Sequence, residues 1–235
     1  MTKIIFICIS IFISIFLIIS PSHSHEINKD NIDTIIKNFL KKNPDFVKST
    51  LDNYKISLEN KKKQNAIKLL NEVNNPGIFP EQANITIYEF FDYNCGYCKS
   101  VAKTIIDILA EDNKVNFVFV EFPILSQQSY FAAKAALASK NQNLYNEFHL
   151  SLMKIRGRVN EEMVFSTAKK LGLDIDQLKI DMNNSEIEQK LVKNREIAKL
   201  LGLNGTPAFI IGDIIYSGAL NLNKLKEIIK QYRES

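Results

Sequence analysis

The spacing of apolar residues along this chain changes near residue 85. Between residues 27 and 75, apolar side chains recur every three or four residues, which is the spacing of amphipathic helices. Asn43-Pro44 predicts the start of a second helix, because proline is tolerated at the first helical position. From residue 85, dense β-branched and aromatic runs predict buried strands at 85–93 and 115–122, with a helix between them.

The second half of the chain predicts a helical block followed by a hairpin. Residues 127–202 read as helical with several breaks, and residues 208–211 and 214–217 read as two strands around Gly212-Asp213. A final helix is predicted at 221–233. Because a strand–helix–strand unit requires a crossover between parallel strands, we expect an α/β fold with a mixed sheet.

The N-terminal helices carry only narrow apolar stripes. The positions are Ile32, Ile35, Ile36, Phe39 and Leu40 in the first helix, and Val47, Leu51, Tyr54 and Leu58 in the second. Two interpretations stay open at this point: the helices pack on the following domain, or they associate with other copies as an oligomerisation stalk. We favour the stalk, because so narrow a stripe needs a partner surface.

The first 24 residues have the pattern of a targeting segment. Lys3 precedes an apolar stretch at 4–19, and Ser22-His23-Ser24 then offers a small-x-small cleavage site. We expect a signal peptide at 1–24 and a periplasmic location, with an uncleaved membrane anchor as the alternative. Export would bring the chain into an oxidising compartment.

Composition narrows the classes of function. The chain has 235 residues, of which 46% are hydrophobic and 24% charged, so it can bury a sizeable core and is not a disordered chain. The formal net charge is +4, and the longest basic run, Lys61-Lys62-Lys63, fits a solvated helix face, so no nucleic-acid partner is expected. With Cys8 in the predicted signal peptide, two cysteines remain, which excludes a disulfide scaffold and a four-cysteine zinc site.

The candidate chemistry lies in Cys95-Gly96-Tyr97-Cys98, where a buried strand meets a helix. Unpaired N–H groups at a helix N-terminus stabilise a thiolate, so Cys95 is expected at the exposed edge as the nucleophile. Cys98 would face inward and resolve a mixed disulfide with Cys95. Glu89 is a lone carboxyl inside the preceding apolar strand, and burial should raise its pKa, so it could exchange a proton with Cys98. The alternative for Glu89 is a surface position on an edge strand.

Thr206-Pro207 stands at the entrance of the strand at 208–211. Through this motif and the cysteine motif, the chain resembles the DsbA family of thiol:disulfide oxidoreductases, and within it the ScsC-like branch with an N-terminal helical extension. The matching segments are EFFDYNCGYCK at 89–99, EFPIL at 121–125 and GTPAFIIG at 205–212. The resemblance covers the chain from about residue 30. With the signal peptide at 1–24 already predicted from the pattern, the expected domains are a helical extension at 25–77 and a thioredoxin fold at 78–235 with a helical insertion at about 124–204.

The resemblance also implies residue roles. Cys95 and Cys98 correspond to the redox disulfide, Glu89 to the buried acid, and Thr206-Pro207 to the cis-proline segment that binds substrate. The Gly96-Tyr97 pair departs from relatives with proline and histidine between the cysteines, and it is similar to dimeric isomerases of the DsbC type. Expected partners are unfolded or misoxidised exported proteins and a redox protein that resets the cysteine pair, with no cofactor and no metal.

Two other functions compete with this hypothesis. Cys95, Cys98 and His149 could bind Cu(I) in a copper-handling protein, although His149 has no spacing relation to the pair and fits a packed or surface histidine better. A non-enzymatic chaperone or adhesin is the second alternative, and it would not need either cysteine.

Overall fold

The computed structural model describes residues 29–234, so the predicted signal peptide and Cys8 lie outside the described residues. The chain forms two compact units, one ending at Lys55 and one beginning at Ile56. No helix within 29–234 is long and apolar enough to cross a membrane.

The first unit contains helix α1 (Lys29–Lys42) and the beginning of helix α2 (Pro44–Glu72). The two helices meet at an edge-to-face contact between Phe39 and Phe46, whose ring centroids are 5.5 Å apart. Most of the predicted apolar stripe is nevertheless exposed to solvent. The exposed apolar side chains of this unit are Ile32, Ile35, Ile36, Phe39, Leu40, Phe46, Leu51 and Tyr54.

The second unit is built around a mixed sheet. Its strands are β1 (Gly77–Ile78), β2 (Ile85–Phe91), β3 (Val115–Glu121), β4 (Ala208–Ile211) and β5 (Ile214–Ser217). Its later helices are α3 (Gly96–Glu111), α4 (Gln127–Ser139), α5 (Tyr145–Met153), α6 (Glu161–Lys170), α7 (Ile175–Asp181), α8 (Ser185–Leu200) and α9 (Leu222–Glu234). The predicted strand–helix–strand unit, helical insertion and hairpin are all present.

The strand order is β1-β3-β2-β4-β5. Strands β2 and β3 run parallel, whereas β4 is antiparallel to both β2 and β5. These directions confirm the expected mixed sheet. The short strand β1, which pairs antiparallel with β3, was not predicted, because its two residues carry no pattern of their own.

Alternation along the strands divides the core between the two faces of the sheet. Ile87 and Phe91 on β2 join one core cluster, with α3 and the helical insertion. Phe90 points to the other face and joins a second cluster that includes Ala66 and Leu70 of α2. Residues 56–77, which the sequence assigned to the extension, therefore belong to the compact unit that contains the sheet. The position of Glu89 follows from this alternation, since it shares a face with Ile87 and Phe91.

Candidate active site

The loop between β2 and α3 is fixed by the buried carboxylate of Asp92. One oxygen of Asp92 accepts a hydrogen bond from the backbone N–H of Asn94 at 2.7 Å. The other oxygen accepts from the backbone N–H groups of Ile124 and Leu125 at 2.9 and 3.0 Å. Asp92 therefore ties the end of β2 to the segment that follows β3, and this places Cys95 at the carboxyl edge of two parallel strands.

Asn94, the residue before Cys95, binds the helical insertion. Its side-chain oxygen accepts from the backbone N–H of Val159 at 2.7 Å, and its amide nitrogen donates to the Val159 carbonyl at 3.3 Å and to Ser129 at 3.2 Å. Neither Asp92 nor Asn94 was singled out from the sequence. Their roles depend on segments more than 30 residues away, which no local pattern shows.

Cys95 is the N-cap of α3, with φ −83° and ψ 115°. The backbone N–H of Cys98 donates to the Cys95 sulfur at 3.4 Å, and the Cys95 thiol can donate to the carbonyl of Thr206 at 3.2 Å. Cys95 is 6% exposed and Cys98 is 0% exposed. The sequence placed Cys95 at an exposed edge; the sulfur is more enclosed than that, because the Thr206 backbone lies against it.

The pKa values of the two thiols are shifted in opposite directions. The hydrogen bond from the Cys98 side chain, helped by backbone N–H groups of Cys98 and Tyr97, lowers the pKa of Cys95 from 9.0 to about 5 against the opposing effect of burial. Burial raises the pKa of Cys98, and the nearby Cys95 and Glu89 side chains raise it further. At neutral pH, Cys95 is therefore a thiolate, whereas Cys98 remains a protonated thiol.

Glu89 is fully buried under the redox pair, as its place in the sequence predicted, and it is not on an edge strand. Neither of its carboxyl oxygens has a hydrogen-bond partner among the described residues. Burial first, and then the negative charge of Cys95, raises the pKa of Glu89 from 4.5 to about 8. A carboxyl with this pKa can exchange a proton near neutral pH.

The Thr206-Pro207 peptide bond is cis. The Thr206 carbonyl faces the Cys95 sulfur, and the Thr206 hydroxyl oxygen is buried without a hydrogen-bond partner in the described structure. The carbonyl of Pro207 accepts from the backbone N–H of Gly218 at 2.9 Å. The structure therefore brings together Cys95, Cys98, Glu89 and the Thr206-Pro207 segment, as the sequence predicted.

Another buried acid, Glu121, was missed. The hydroxyls of Tyr93 and Tyr145 both donate to the same oxygen of Glu121 at 2.9 Å, and the other oxygen has no partner among the described residues. Burial raises the pKa of Glu121 well above its usual value, even though the two tyrosine hydrogen bonds oppose this. Glu121 is a carboxyl in an apolar strand, as Glu89 is, but it is the last residue of β3, where the sequence alone does not separate a buried side chain from an exposed one.

His149 belongs to this buried cluster. Its Nδ1 lies 3.0 Å from the Tyr93 hydroxyl, and its ring stacks on Tyr145 at 5.7 Å. Burial lowers the pKa of His149 to about 3, so the ring is neutral at ordinary pH. Within residues 29–234, no three His, Cys, Asp or Glu side chains are grouped as a metal site.

The fold and the site together define a thioredoxin-type protein: a dithiol at the start of a helix faces a cis-proline loop beside a mixed sheet. The chain belongs to the DSBA-like thioredoxin domain family, which matches residues 86–230. The family resemblance predicted from the sequence is thus confirmed.

Three solved structures illustrate the similarity. A thioredoxin-like oxidoreductase from Silicibacter pomeroyi is 36% identical, with a TM-score of 0.68, covering 71% of this chain and 96% of that one. The thiol-disulfide exchange protein alpha-DsbA2 from Wolbachia pipientis is 29% identical, with a TM-score of 0.68 and coverages of 74% and 96%. A linker-deletion mutant of Proteus mirabilis ScsC is 23% identical, has a TM-score of 0.68 and coverages of 92% and 99%, and shares the fold.

Among curated proteins, the chain is similar to one part of much longer proteins. An Na(+)/H(+) antiporter NhaA 1 from Salinispora arenicola is 24% identical over 152 residues, which are 64% of this chain and 23% of that protein. The chain therefore spans about a quarter of the length of the first curated relatives it matches.

Proposed function

We propose that this protein is an exported thiol-disulfide oxidoreductase that acts on protein clients through Cys95 and Cys98. The observation that carries the proposal is the contrast between the two thiols: Cys95 caps α3 with a pKa lowered to about 5, while Cys98 is buried beneath it. Only a thiolate attacks a disulfide, so this contrast makes Cys95 the entering group and Cys98 the resolving group. Export rests on the sequence pattern at 1–24.

In the oxidising direction, a client thiolate attacks Cys95 of the Cys95–Cys98 disulfide. The Cys95–Cys98 bond breaks, a client–Cys95 bond forms, and Cys98 leaves and takes up a proton, for which Glu89 is the donor. A second client thiolate then attacks the client sulfur and releases Cys95 as a stable thiolate. The client loses two electrons and the protein gains them, so no cofactor is required, and a separate redox protein must reoxidise the pair.

Isomerisation uses the reduced pair. The Cys95 thiolate attacks a misplaced client disulfide, and the released client thiolate can attack elsewhere in the client. A client thiolate then attacks the client sulfur bonded to Cys95 and releases the Cys95 thiolate. If this step does not occur, Cys98 attacks Cys95 instead, the Cys95–client bond breaks and the client leaves as a reduced thiolate, with Glu89 accepting the Cys98 proton. The Thr206-Pro207 segment lies against the Cys95 sulfur. We propose that its backbone binds the extended client chain beside the client sulfur that reacts with Cys95.

The activity is tested with the oxidised protein and a reduced, unfolded two-disulfide client. We expect stoichiometric oxidation of the client, loss of this reaction in Cys95→Ser, and trapping of a mixed disulfide with Cys98→Ser when the client itself is supplied in its disulfide form. If Cys95→Ala/Cys98→Ala still suppresses client aggregation as well as the wild type, the chaperone alternative replaces this proposal. One-to-one Cu(I) binding by the reduced pair without client oxidation would support the copper alternative.

We also propose that residues 25–77 mediate self-association, through the exposed apolar side chains of the first unit. A second copy is the favoured partner, because the 4-3-4 spacing of the stripe on the second helix is that of a seam between like helices. An oligomer would hold several redox pairs around one client, which suits isomerisation.

Self-association is tested by light scattering on the full chain. Ile35→Glu/Phe39→Glu buries charge in any apolar seam, so we expect the mass to fall from that of an oligomer to that of a monomer, which is 26.9 kDa for the full chain. Asn31→Glu/Asn38→Glu adds the same charge at exposed polar positions of α1 and should keep the wild-type mass. An equal mass for wild type and both variants would reject the proposal.

A further inference from the structure

A groove beside the redox pair is not used by the proposed chemistry. It lies between α3 and α5, with an apolar floor and a polar rim. The floor is formed by Ala102, Ile106, Leu150, Met153 and Ile155, and the rim by Lys99, Ser100, Lys103, Lys154 and Arg156. The groove therefore combines partly exposed apolar surface with positive charge.

The groove begins one helical turn from the reactive sulfur. The backbone N–H of Lys99, on the rim, donates to the carbonyl of Cys95 at 3.1 Å. At about 1.5 Å of rise per helical residue, Lys99 and Ile106 lie roughly 6 and 16 Å along α3 from Cys95. An extended chain covers about 3.3 Å per residue, so a client joined to Cys95 would reach the groove about two to five residues from its cysteine.

The wall of the groove that carries Arg156 is held in place by residues on both sides of the cysteine pair. The ammonium group of Lys99 donates to the carbonyls of Ile155 and Gly157 at 2.9 and 2.5 Å, on either side of Arg156. Asn94 binds both backbone polar groups of Val159 in the same loop. The loop is thus preorganised against the active site, and its position lowers the entropic cost of binding there.

The charge of the groove is one-sided. No carboxylate lines it, and Lys103 is already paired with Asp107 at 2.7 Å. The Lys99 ammonium donates to the carbonyls of Ile155 and Gly157, whereas the side chains of Lys154 and Arg156 make no hydrogen bond or ion pair with other described residues. Of the acidic residues near the groove along the chain, Asp107 pairs with Lys103, and neither Glu147 nor Glu161 lines the groove.

We propose that this groove docks a client segment in which acidic and apolar side chains lie about two to five residues from the reacting cysteine. Apolar side chains would cover the floor, and carboxylates would pair with Lys154 and Arg156. This inference rests on the proposed function and assigns it a client preference. Complementary charge at such a rim raises the rate of productive encounter more than the final affinity.

The test compares two dithiol peptides with the oxidised full-length protein by stopped flow. One peptide has leucine and glutamate two to five residues on both sides of its first cysteine; the other has glutamine in place of each glutamate. We expect the acidic peptide to be oxidised about fivefold faster at low ionic strength, and the two rates to converge near about 0.5 M salt, where surface charges are screened. Lys154→Glu/Arg156→Glu should abolish or reverse the preference.

Two controls separate docking from catalysis. Lys169→Glu/Lys170→Glu makes the same change of net charge at exposed positions on α6 and should keep the wild-type preference. An acidic peptide with serine in place of both cysteines, followed by fluorescence anisotropy, should bind the wild type more tightly than Lys154→Glu/Arg156→Glu. Equal rates for the two peptides would overturn the docking proposal and leave the oxidoreductase proposal standing. If neither peptide is oxidised and the serine peptide binds both proteins equally, both proposals fail.

Discussion

Cys95 is expected to react with an aromatic disulfide such as dithiodipyridine at a rate that is half-maximal at a pH of about 5 and constant above about 6. At pH 5, about half of Cys95 is ionised, against about 0.03% of an ordinary thiol with a pKa of about 8.5. That is about 1,600 times more thiolate. Because the less basic sulfur is also less nucleophilic, with a Brønsted slope of about 0.45, roughly 40-fold is lost and a net gain of about 40-fold remains.

The control for this reactivity is a peptide that spans the cysteine motif, which has the same sulfurs without the helix. Cys98→Ser offers a second comparison, because the Cys98 side chain is the largest contributor to the lowered pKa of Cys95. A hydroxyl does not reproduce the geometry of the thiol hydrogen bond, so the half-maximal pH should move upward in this variant. Cys98 should not react directly with the reagent in the folded protein, because it is fully buried; its expected reaction is with the mixed disulfide on Cys95. A half-maximal pH near that of the peptide would remove the basis of the enzymatic proposal.

Features with local causes could be predicted from the sequence. Consecutive β-branched and aromatic residues mark the buried strands. Within the insertion, helices begin at N-cap residues such as Asn160 and Asp174, whose side chains accept hydrogen bonds from backbone N–H groups of the first turn. Glu89 could be identified because burying one carboxyl in an apolar strand has a large energetic cost and needs a reason. Cys95 and Cys98 follow from the motif and its place at a helix start.

Features made by distant segments could not be predicted in the same way. The low exposure of Cys95 comes from Thr206, which is 111 residues away, and the hold on Asn94 comes from Val159, 65 residues away. Glu121 carries the same signal as Glu89, but it stands at a strand end just before Pro123, where a charged residue ordinarily reaches solvent. Its burial is explained by the hydroxyls of Tyr93 and Tyr145, which both donate hydrogen bonds to its carboxyl group.

The buried acids Glu89 and Glu121 also differ in what they can do. Glu121 is engaged by two phenols, whereas the oxygens of Glu89 have no hydrogen-bond partner in the described structure. A carboxyl held only by burial changes its protonation more readily than one bound in a network. Glu89, whose charge raises the pKa of Cys98, is therefore the group placed to exchange a proton with that thiol.

Glu89→Gln is expected to slow the attack of Cys98 on a Cys95 mixed disulfide by about 100-fold, the lower end of what general base catalysis contributes. Burial raises the pKa of Cys98, so its attack depends on an acceptor for its proton, and an amide cannot serve. In the wild type, this step should accelerate with pH and level off at or below about 8, since Cys95 carries no charge in the mixed disulfide. The variant should lose this acceleration, as followed by quenched-flow separation of the mixed disulfide.

Unfolding free energies provide a second readout of the same carboxyl. The pKa of Glu89 rises from 4.5 to about 8 on folding. Below pH 4.5 the carboxyl is protonated in both states and does not lower the free energy of unfolding, which then falls as pH rises toward 8. Each pH unit in that window is worth about 1.4 kcal/mol, so Glu89→Gln should gain up to about 5 kcal/mol on the wild type between pH 4 and pH 8. Glu162→Gln, at an exposed position of α6, should show neither effect. Parallel pH profiles for Glu89→Gln and the wild type, with no accumulation of mixed disulfide, would show that Glu89 does not carry the proton.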